Sequence, residues 1–242
     1  MFSIFKKKTL VRDLNWMGVD IHSHLLPGID DGSPDVTTSV SYIKALMELG
    51  IEKFHCTPHI LRDYYPNTPE TINIALENLK QGLRDANVDV VVTAAAEHMM
   101  DDAFRVDDSL LCLPRKHILV EMSYLSETPN VEQVIFDLQI KGYKVILAHP
   151  ERYNFYHKTY EKYNRLKDMG VLFQMNLLAV VGYYGRDVKR TAEHLIEQRC
   201  YDLVGTDLHH EKHLQVLSHA VISGKLYQMV ENYPFINKEL FG

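Results

Sequence analysis

Short apolar segments alternate with amphipathic helical segments along the whole chain of 242 residues. Seven strands are predicted, each followed by a helix or a long loop, at residues 18–21, 51–56, 88–95, 118–120, 144–148, 171–175 and 202–205. This alternation is typical of a parallel sheet with right-handed crossovers, which bring the carboxyl ends of the strands to one edge. We therefore expect an α/β protein, and a sheet that closes into a barrel would gather all strand ends in one bowl.

Capping signals and apolar periodicity predict six helices, at about residues 33–49, 68–86, 130–141, 160–169, 186–199 and 211–223. Ser33-Pro34-Asp35 and Thr68-Pro69-Glu70 each combine a cap, a proline at the first helical position and an early acidic residue. No internal repeat, low-complexity tract or linker divides the chain. One domain over residues 1–242 is therefore predicted, with residues 1–15 as an amino-terminal extension.

The composition excludes several classes of partner. The formal net charge is −6 and no basic stripe is present, which argues against nucleic acid. No apolar run approaches the roughly 20 residues of a transmembrane helix. Residues 2–8 do not form a secretory signal, and they would allow at most a weak peripheral contact with an anionic membrane surface. Cys56, Cys112 and Cys200 form no CxxC pair, so reduced thiols and a cytoplasmic location are expected.

Six of the seven predicted strands run into residue types that bind metal ions, whereas the seventh ends at Asn176, a poor ligand. His22 and His24 are two positions apart, so both imidazoles would face the same side of a strand. Asp20 would accept the second ring N–H of one of them. The candidate ligands are His22, His24, Asp31, His59, Glu97, Glu121, His149, Asp207 and His209.

This donor set points to a metal cluster. Histidine and carboxylate ligands without thiolate suit manganese, ferrous iron or zinc. The candidates exceed the three or four protein ligands of one catalytic zinc. Two or three divalent ions, bridged by a carboxylate such as Glu97, account for them better.

Several motifs resemble those of the PHP (polymerase and histidinol phosphatase) superfamily and, within it, the bacterial capsule-associated protein-tyrosine phosphatases of the CpsB/YwqE type. The motifs are Asp20-Ile21-His22-Ser23-His24 with Asp30-Asp31, Thr57-Pro58-His59, Tyr65-Pro66-Asn67-Thr68, Ala148-His149-Pro150-Glu151-Arg152 and the Asp-x-His of Asp207 and His209. The resemblance implies a single-domain, distorted seven-stranded (β/α)7 barrel of the TIM type. It also implies three divalent ions, commonly manganese or iron, held by the nine candidates, and phosphate binding by Arg152.

The chain departs from the family pattern at one place. A second phosphate-binding arginine usually follows the last Asp-x-His; here either Lys212 or His213 takes its role or the role is missing. A lysine is a point charge and not a bidentate fork, so it would orient a phosphate less strictly.

The implied activity is metal-dependent hydrolysis of phosphotyrosine in a protein substrate, which is expected to be a bacterial tyrosine kinase of capsule or exopolysaccharide assembly. A metal-bound hydroxide would attack phosphorus directly, because no cysteine lies in a CxxxxxR context. Arg152 would clamp the phosphoryl oxygens, and His209, His210 or His213 would protonate the leaving group.

Three alternatives stay open. They are a small-molecule phosphatase of the histidinol-phosphate type, a polymerase-associated nuclease and an inactive metal-binding module. The acidic composition counts against the nuclease, and the full ligand set counts against the inactive module. Aromatic residues in the predicted mouth loops would either form a slot for a phenyl ring or pack on the rim; they are Tyr64, Tyr65, Tyr153, Phe155, Tyr156, Tyr183 and Tyr184.

Overall fold

Every ladder between the strands is parallel. The computed structural model describes residues 10–231 and 233–242. The strands in these residues are β1 Val19–Asp20, β2 Lys53–Cys56, β3 His59–Ile60, β4 Val91–Ala94, β5 Glu97–Met99, β6 His117–Glu121, β7 Lys144–Ala148, β8 Leu172–Asn176 and β9 Leu203–Gly205. They form a three-stranded sheet in the order β1-β2-β4 and a six-stranded sheet in the order β3-β5-β6-β7-β8-β9. The predicted α/β class is confirmed.

Two of the predicted strands, at residues 51–56 and 88–95, are each followed after a break by a second short strand that the sequence pattern does not predict. Thr57 and Pro58 separate β2 from β3, and Ala95 and Ala96 separate β4 from β5. Pro58 has no N–H to donate, so a regular ladder cannot continue through it. Its carbonyl still accepts the backbone N–H of Glu97 at 3.0 Å. The two sheets therefore continue into each other as one curled parallel surface.

The first and last strands are not joined by a ladder. At their carboxyl ends one isolated parallel bridge pairs Ser23 with Leu208. Beside it the N–H of Asp207 donates to the carbonyl of His22 at 2.7 Å. A closed seven-stranded barrel is therefore not confirmed, and what the hydrogen bonds define is a curled sheet whose two edges meet mainly at the end that carries the candidate ligands.

At the opposite end, a single side chain spans the gap between β1 and β9. The amide of Asn237, 1% exposed, donates to the carbonyls of Val19 at 2.9 Å and Val204 at 2.7 Å. Its oxygen accepts the N–H of Val204 at 3.0 Å. Asn237 thus satisfies backbone groups that a continuous ladder would otherwise pair.

Helices follow most strands. In the described residues the α-helices are α1 Val36–Glu48, α2 Pro69–Asp85, α3 Val131–Ile140, α4 Glu161–Asp168, α5 Leu177–Val180, α6 Arg186–Glu197, α7 Glu211–Ile222, α8 Lys225–Val230 and α9 Asn237–Phe241. The short helices α5, α8 and α9 carry no sequence signal strong enough to predict them. None of the helices in residues 10–231 and 233–242 has the length and hydropathy needed to cross a membrane.

The two proline-containing helix starts differ. Thr68 caps α2 in a capping box with Thr71, as predicted. The prediction for α1 is wrong by two residues, because Asp35 and not Ser33 is the cap and accepts the N–H of Thr38 at 2.8 Å. The hydroxyl of Ser33 is instead buried and bonds that of Ser39 at 2.8 Å.

Side chains on alternate positions of the strands separate two apolar clusters. In β7, Val145 and Leu147 pack with the helices, whereas Ile146 packs with residues from β1, β6 and β9. Phe241 of α9 joins this second cluster, which fills the inside of the curl. Leu14, within the predicted extension, is fully buried in the helix-side cluster. The predicted membrane contact of residues 2–8 lies outside the described residues.

Candidate metal centre

The nine candidate ligands converge at the carboxyl ends of the strands. His59 and Glu97 begin β3 and β5, directly after the breaks that end β2 and β4, and Glu121 ends β6. The other candidates lie in the loops after β1, β7 and β9. Together they form four overlapping groups, in each of which the ligand atoms lie within 4.8 Å of one another. The groups are His24-Asp31-His59-His209, His22-His24-Asp207, His22-Glu97-His149 and His59-Glu97-Glu121.

Glu97 lies at the middle of these groups and is fully buried. Its Oε2 is 3.2 Å from Nε2 of His22, 3.4 Å from Nε2 of His24 and 3.1 Å from Nδ1 of His59. Its Oε1 is 3.0 Å from Nε2 of His149. One carboxylate therefore faces four imidazoles, which is the position of a group that bridges neighbouring ions.

Several of the buried ligand atoms have no hydrogen-bond partner among the residues that the structure describes. They are Oε2 of Glu97, Oδ1 of Asp207 and Nδ1 of both His59 and His149. Leaving carboxylate oxygens buried and unpaired costs free energy that a bound cation would offset. Since the donor set is imidazole nitrogen and carboxylate oxygen without thiolate, the site fits divalent ions such as manganese, iron or zinc.

The electrostatics of the cluster show the same need for positive charge. Burial raises the pKa of Glu97, but His22 and His59 outweigh burial and hold that pKa well below its usual range. Burial lowers the pKa of His24, but Asp30, Asp207 and Glu97 outweigh burial and raise it. Glu97 thus stays ionised and draws positive charge into the site, as protons on imidazoles or as metal cations.

Hydrogen bonds fix the orientation of three of the imidazoles. Nδ1 of His24 lies 2.8 Å from Oδ2 of Asp30, and Nδ1 of His22 lies 2.7 Å from Oε1 of Gln174. Nδ1 of His209 lies 2.9 Å from the carbonyl of Asp207. Because each partner is an acceptor, each Nδ1 carries the proton and each Nε2 keeps a lone pair for a metal.

Asp30 and Gln174 are site residues that sequence reasoning missed. Asp30 could not be told from its neighbour Asp31. Gln174 did leave a signal, as the one amide within the apolar part of a buried strand. The expectation that Asp20 would accept the ring N–H of a ligand is wrong, although its Oδ1 lies 3.3 Å from the backbone nitrogen of His22 and accepts its N–H. Its carboxylate instead accepts the hydroxyl of Thr206 at 2.5 Å and the N–H of Thr206 at 3.1 Å, and so braces β1 against the end of β9.

Two candidate ligands have a left-handed backbone. The φ angles are 33° at His149 and 49° at Asp207. Non-glycine residues in sparsely populated regions cost on the order of 1–3 kcal/mol each, and they cluster at functional sites. Here the conformation turns each side chain from the end of its strand into the cluster.

Arg152 lies beside the cluster, at the end of the 3₁₀ turn Pro150–Arg152. Its Nη1 donates to Oδ2 of Asp207 at 2.8 Å. Its guanidinium carbon is 4.4 Å from the ring centre of Tyr124 and 4.2 Å from that of Tyr184. Arg152 does not pair with Glu151, which is fully buried and accepts the hydroxyl of Tyr201 at 2.8 Å.

Asn176 also belongs to the site, although it is not a ligand type. Its Nδ2 donates to Oδ2 of Asp207 at 2.5 Å and lies 3.1 Å from the hydroxyl of Tyr184. Asn176 and Arg152 together hold Oδ2, while Oδ1 of Asp207 faces Nε2 of His22 at 3.3 Å. The two oxygens of this carboxylate therefore have separate roles.

Lys212 and His213 differ in their placement. His213 is buried, accepts the N–H of His209 on its Nδ1 at 3.3 Å, and has its ring 4.8 Å from that of Tyr183. Burial and His210 lower the pKa of His213 to about 4. Lys212 is exposed, and its Nζ lies 5.7 Å from the ring centre of Tyr183.

The aromatic residues of the mouth loops divide into two kinds. Tyr65 stacks on His59, with ring centres 5.7 Å apart and planes at 14°, so it borders the cluster. Tyr153 and Tyr156 are buried in the helix-side cluster and serve packing. Tyr124, which contacts Arg152, was not among the predicted aromatic residues.

Comparison with known proteins agrees with this geometry. Residues 18–218 match a protein family described as capsular polysaccharide synthesis, CpsB/CapC. The chain is 29% identical over 198 residues to the tyrosine-protein phosphatase YwqE of Bacillus subtilis (strain 168), covering 80% of this chain and 78% of that protein. It is 25% identical over 233 residues to the putative tyrosine-protein phosphatase CapC of Staphylococcus aureus, covering 92% and 82% respectively.

A solved structure extends the likeness to the fold. It comes from work on YwqE from Bacillus subtilis and CpsB from Streptococcus pneumoniae, described as unique metal-dependent tyrosine phosphatases. It superposes on this chain with a TM-score of 0.79 and 26% identity, and the match covers 91% of each chain.

Proposed function

This chain belongs to the CpsB/CapC family of capsular polysaccharide synthesis, and from this premise we propose that it is a metal-dependent protein-tyrosine phosphatase. The observation that carries the proposal is the convergence of nine histidines and carboxylates into four overlapping groups. A guanidinium group lies directly beside them. Metal ligands next to a phosphate-type anion site suit the metal-assisted hydrolysis of a phosphate monoester.

We propose that the nine residues hold two or three divalent ions, manganese or iron first, with zinc also suited to the donor set. Four of the nine are carboxylates, namely Asp31, Glu97, Glu121 and Asp207. Two divalent cations would balance their four negative charges. Ions bound there supply a water of lowered pKa and neutralise the charge of phosphoryl oxygens.

Arg152 has the role of phosphate clamp. One of its nitrogens is held by Asp207, and the remaining N–H groups are left to donate to phosphoryl oxygens. Such charge-assisted bonds are stronger than neutral ones and grow in value as charge develops in the transition state. Because Asp207 contacts both Arg152 and the histidines, it sets the position of the phosphate relative to the metal ligands.

His213 and Lys212 take the place of a second phosphate-binding group. His213 accepts a backbone N–H on Nδ1, so its own proton is on Nε2 and can be donated to an oxygen. Lys212 adds a point charge from the surface. A phenol with a pKa of about 10 is a good leaving group, so it is sufficient that the Nε2–H of the neutral His213 donates a hydrogen bond to the leaving oxygen. His209 serves as a ligand, since its Nδ1 proton is bound by the carbonyl of Asp207.

The substrate is a phosphotyrosine protein, and a bacterial tyrosine kinase of capsule or exopolysaccharide assembly fits the family's name. Residues 1–242 act as one domain with residues 1–15 as an extension. We also propose that the fold is a distorted seven-stranded barrel, in which β2 and β3 count as one strand and β4 and β5 count as another.

The test is elemental analysis of the purified chain together with hydrolysis of a phosphotyrosine peptide, before and after chelation and after manganese is restored. We expect bound divalent metal, turnover that chelation abolishes, and recovery with manganese. Histidinol phosphate, assayed in parallel, should be the poorer substrate. Turnover that survives complete metal removal would contradict the proposal.

Matched variants separate metal binding from phosphate binding. Glu97→Ala should lose metal and activity together, because it removes the carboxylate that faces four histidines. Arg152→Ala should keep its metal while turnover falls by about 100-fold or more, as expected when a charged transition-state contact is lost. Glu77→Ala, an exposed carboxylate on α2, is the control and should leave both unchanged. Full activity in Glu97→Ala would rule out the ligand assignment.

A further inference from the structure

Two aromatic rings flank the guanidinium of Arg152. Tyr124 lies three residues beyond the end of β6, and Tyr184 lies in the loop after α5. Their ring centres are 4.4 Å and 4.2 Å from the guanidinium carbon. Both distances are well within the range of cation–π attraction, which is strongest where the cation is desolvated. The side chain of Arg152 is only 18% exposed, so this condition is met.

Most of the donors of Arg152 have no protein partner. Nη1 bonds Asp207, and no other side-chain nitrogen of Arg152 bonds a group in residues 10–231 or 233–242. A guanidinium has five N–H donors, and a largely buried one needs acceptors for them. Its remaining donors are therefore free of protein partners and available to an anion, and a bidentate acceptor such as a phosphoryl group suits their fork.

Tyr184 is also tied to the metal cluster. Its hydroxyl lies 3.1 Å from Nδ2 of Asn176, which in turn donates to Oδ2 of Asp207. Arg152 donates to the same oxygen. The ring of Tyr184, the amide of Asn176 and the guanidinium are thus fixed relative to one carboxylate oxygen.

We propose that Tyr124 and Tyr184 are positioning residues that act on phosphate through Arg152, as an aromatic clamp. The rings hold the guanidinium plane while Asp207 fixes one edge, so the free donors stay aimed at an incoming phosphoryl group. A long arginine side chain loses rotamer freedom when it binds an anion. Holding it beforehand removes that cost and raises the affinity for phosphate. This inference rests on the proposed function, because it assigns the anion at Arg152 as a phosphoryl group.

The aromatic clamp predicts how much affinity for phosphate each tyrosine substitution should cost. Replacing either tyrosine by leucine removes the π face and should weaken binding of inorganic phosphate by about tenfold, the scale of a desolvated cation–π contact. Replacement by phenylalanine keeps the face and should restore affinity to within about threefold. Metal content should stay the same in all four variants, because neither tyrosine is in the ligand groups.

The test is a double-mutant cycle with Arg152→Ala. Binding of inorganic phosphate to the manganese-loaded chain is measured by calorimetry for the single tyrosine variants, Arg152→Ala and the two combinations. If the rings act through Arg152, the tenfold loss from Tyr124→Leu or Tyr184→Leu should shrink below about twofold once the arginine is gone. A ring that only supported the fold would give the same loss in both backgrounds. Tyr227→Leu is the matched control, because Tyr227 lies in α8 and its ring packs on Trp16.

The outcomes separate the clamp from the proposed function. Equal losses with and without Arg152, loss of metal in the tyrosine variants, or a wild-type chain that binds no phosphate would each overturn the clamp. If the losses in phosphate binding depend on Arg152 but the chain fails to hydrolyse a phosphotyrosine peptide, the clamp is supported and the proposed phosphatase activity is overturned. If the chain hydrolyses the peptide but the losses are the same with and without Arg152, the phosphatase activity is supported and the clamp is overturned.

Discussion

At the residue scale, Asp207 connects the parts of the site. Its Oδ2 is held by Asn176 and Arg152, and its Oδ1 is left without a hydrogen-bond partner toward the histidines. A left-handed backbone with φ of 49° places it there. Loss of the Asp207 side chain would therefore disturb the metal ligands and the phosphate clamp together. Loss of a residue with a single role, such as His149, would disturb only the metal ligands.

Gln174 gives a test of how the ligands are oriented. We expect Gln174→Leu to weaken metal binding by about 10–100-fold, because the Nδ1 proton of His22 loses its acceptor and the ring is no longer fixed. Competition with a chelator of known affinity measures the change. Gln139→Leu, which removes an amide that bonds the carbonyl of Met169 far from the site, is the control. Equal metal affinity in Gln174→Leu and the parent chain would show that His22 needs no such support.

Eight of the nine candidate ligands could be predicted from the sequence because each is a metal-binding residue type at or near the end of a strand; the ninth, Asp31, lies in the loop after β1. Their supporting residues could not. His22 and Gln174 are 152 positions apart, and the bond between them depends on how β1 and β8 face each other across the curl. Asn176 was dismissed as a poor ligand, since its role is to hold a ligand and not to be one.

At the element scale, β2 contains a buried histidine that is remote from the metal ligands. His55 is 3% exposed, with Nδ1 2.5 Å from the hydroxyl of Thr93 in β4. Burial, with help from Lys53, lowers the pKa of His55 from 6.5 to about 4. The folded state therefore keeps this imidazole neutral under conditions where the unfolded chain binds a proton.

This difference predicts a pH-dependent stability. The contribution of His55 is fully present above the unfolded pKa of 6.5 and is lost as pH falls toward about 4. It amounts to at most about 3 kcal/mol across that window. The free energy of unfolding of the metal-free chain, measured in urea, should fall less in His55→Gln than in the parent when the pH is lowered from 7.5 to 5. His219→Gln, an exposed histidine of α7, should behave like the parent. Identical pH dependence in the parent and His55→Gln would refute the assignment.

The elements themselves were largely predictable, and their ends were less so. Apolar runs and caps located the strands and the longer helices, because those signals are local. The breaks after β2 and β4, and the shift of the α1 cap from Ser33 to Asp35, depend on which backbone and hydroxyl groups find partners in the folded chain. Such partners are set by tertiary contacts.

At the scale of the whole molecule, the curled sheet depends on how its edges are held together. The bridge between Ser23 and Leu208 does this at the site, and Asn237 does it at the opposite end. Periodicity predicted an all-parallel sheet but not this closure, because a side chain that substitutes for a ladder has no signature in hydrophobic pattern.

Asn237→Ala should lower the free energy of unfolding by about 2–4 kcal/mol, since it leaves three buried backbone groups of β1 and β9 short of a partner. Urea denaturation measures the loss. Asn164→Ala, an exposed asparagine of α4, should change stability by less than about 0.5 kcal/mol. Equal stability of the two variants would mean that Asn237 does not hold the edges.

The most direct test of the metal centre is anomalous X-ray scattering from crystals grown with manganese. We predict two or three anomalous peaks inside the cluster, each among the ligand atoms of one of the four groups, with Glu97 between peaks. Peaks elsewhere on the molecule, or no peak at these groups under saturating manganese, would contradict the account.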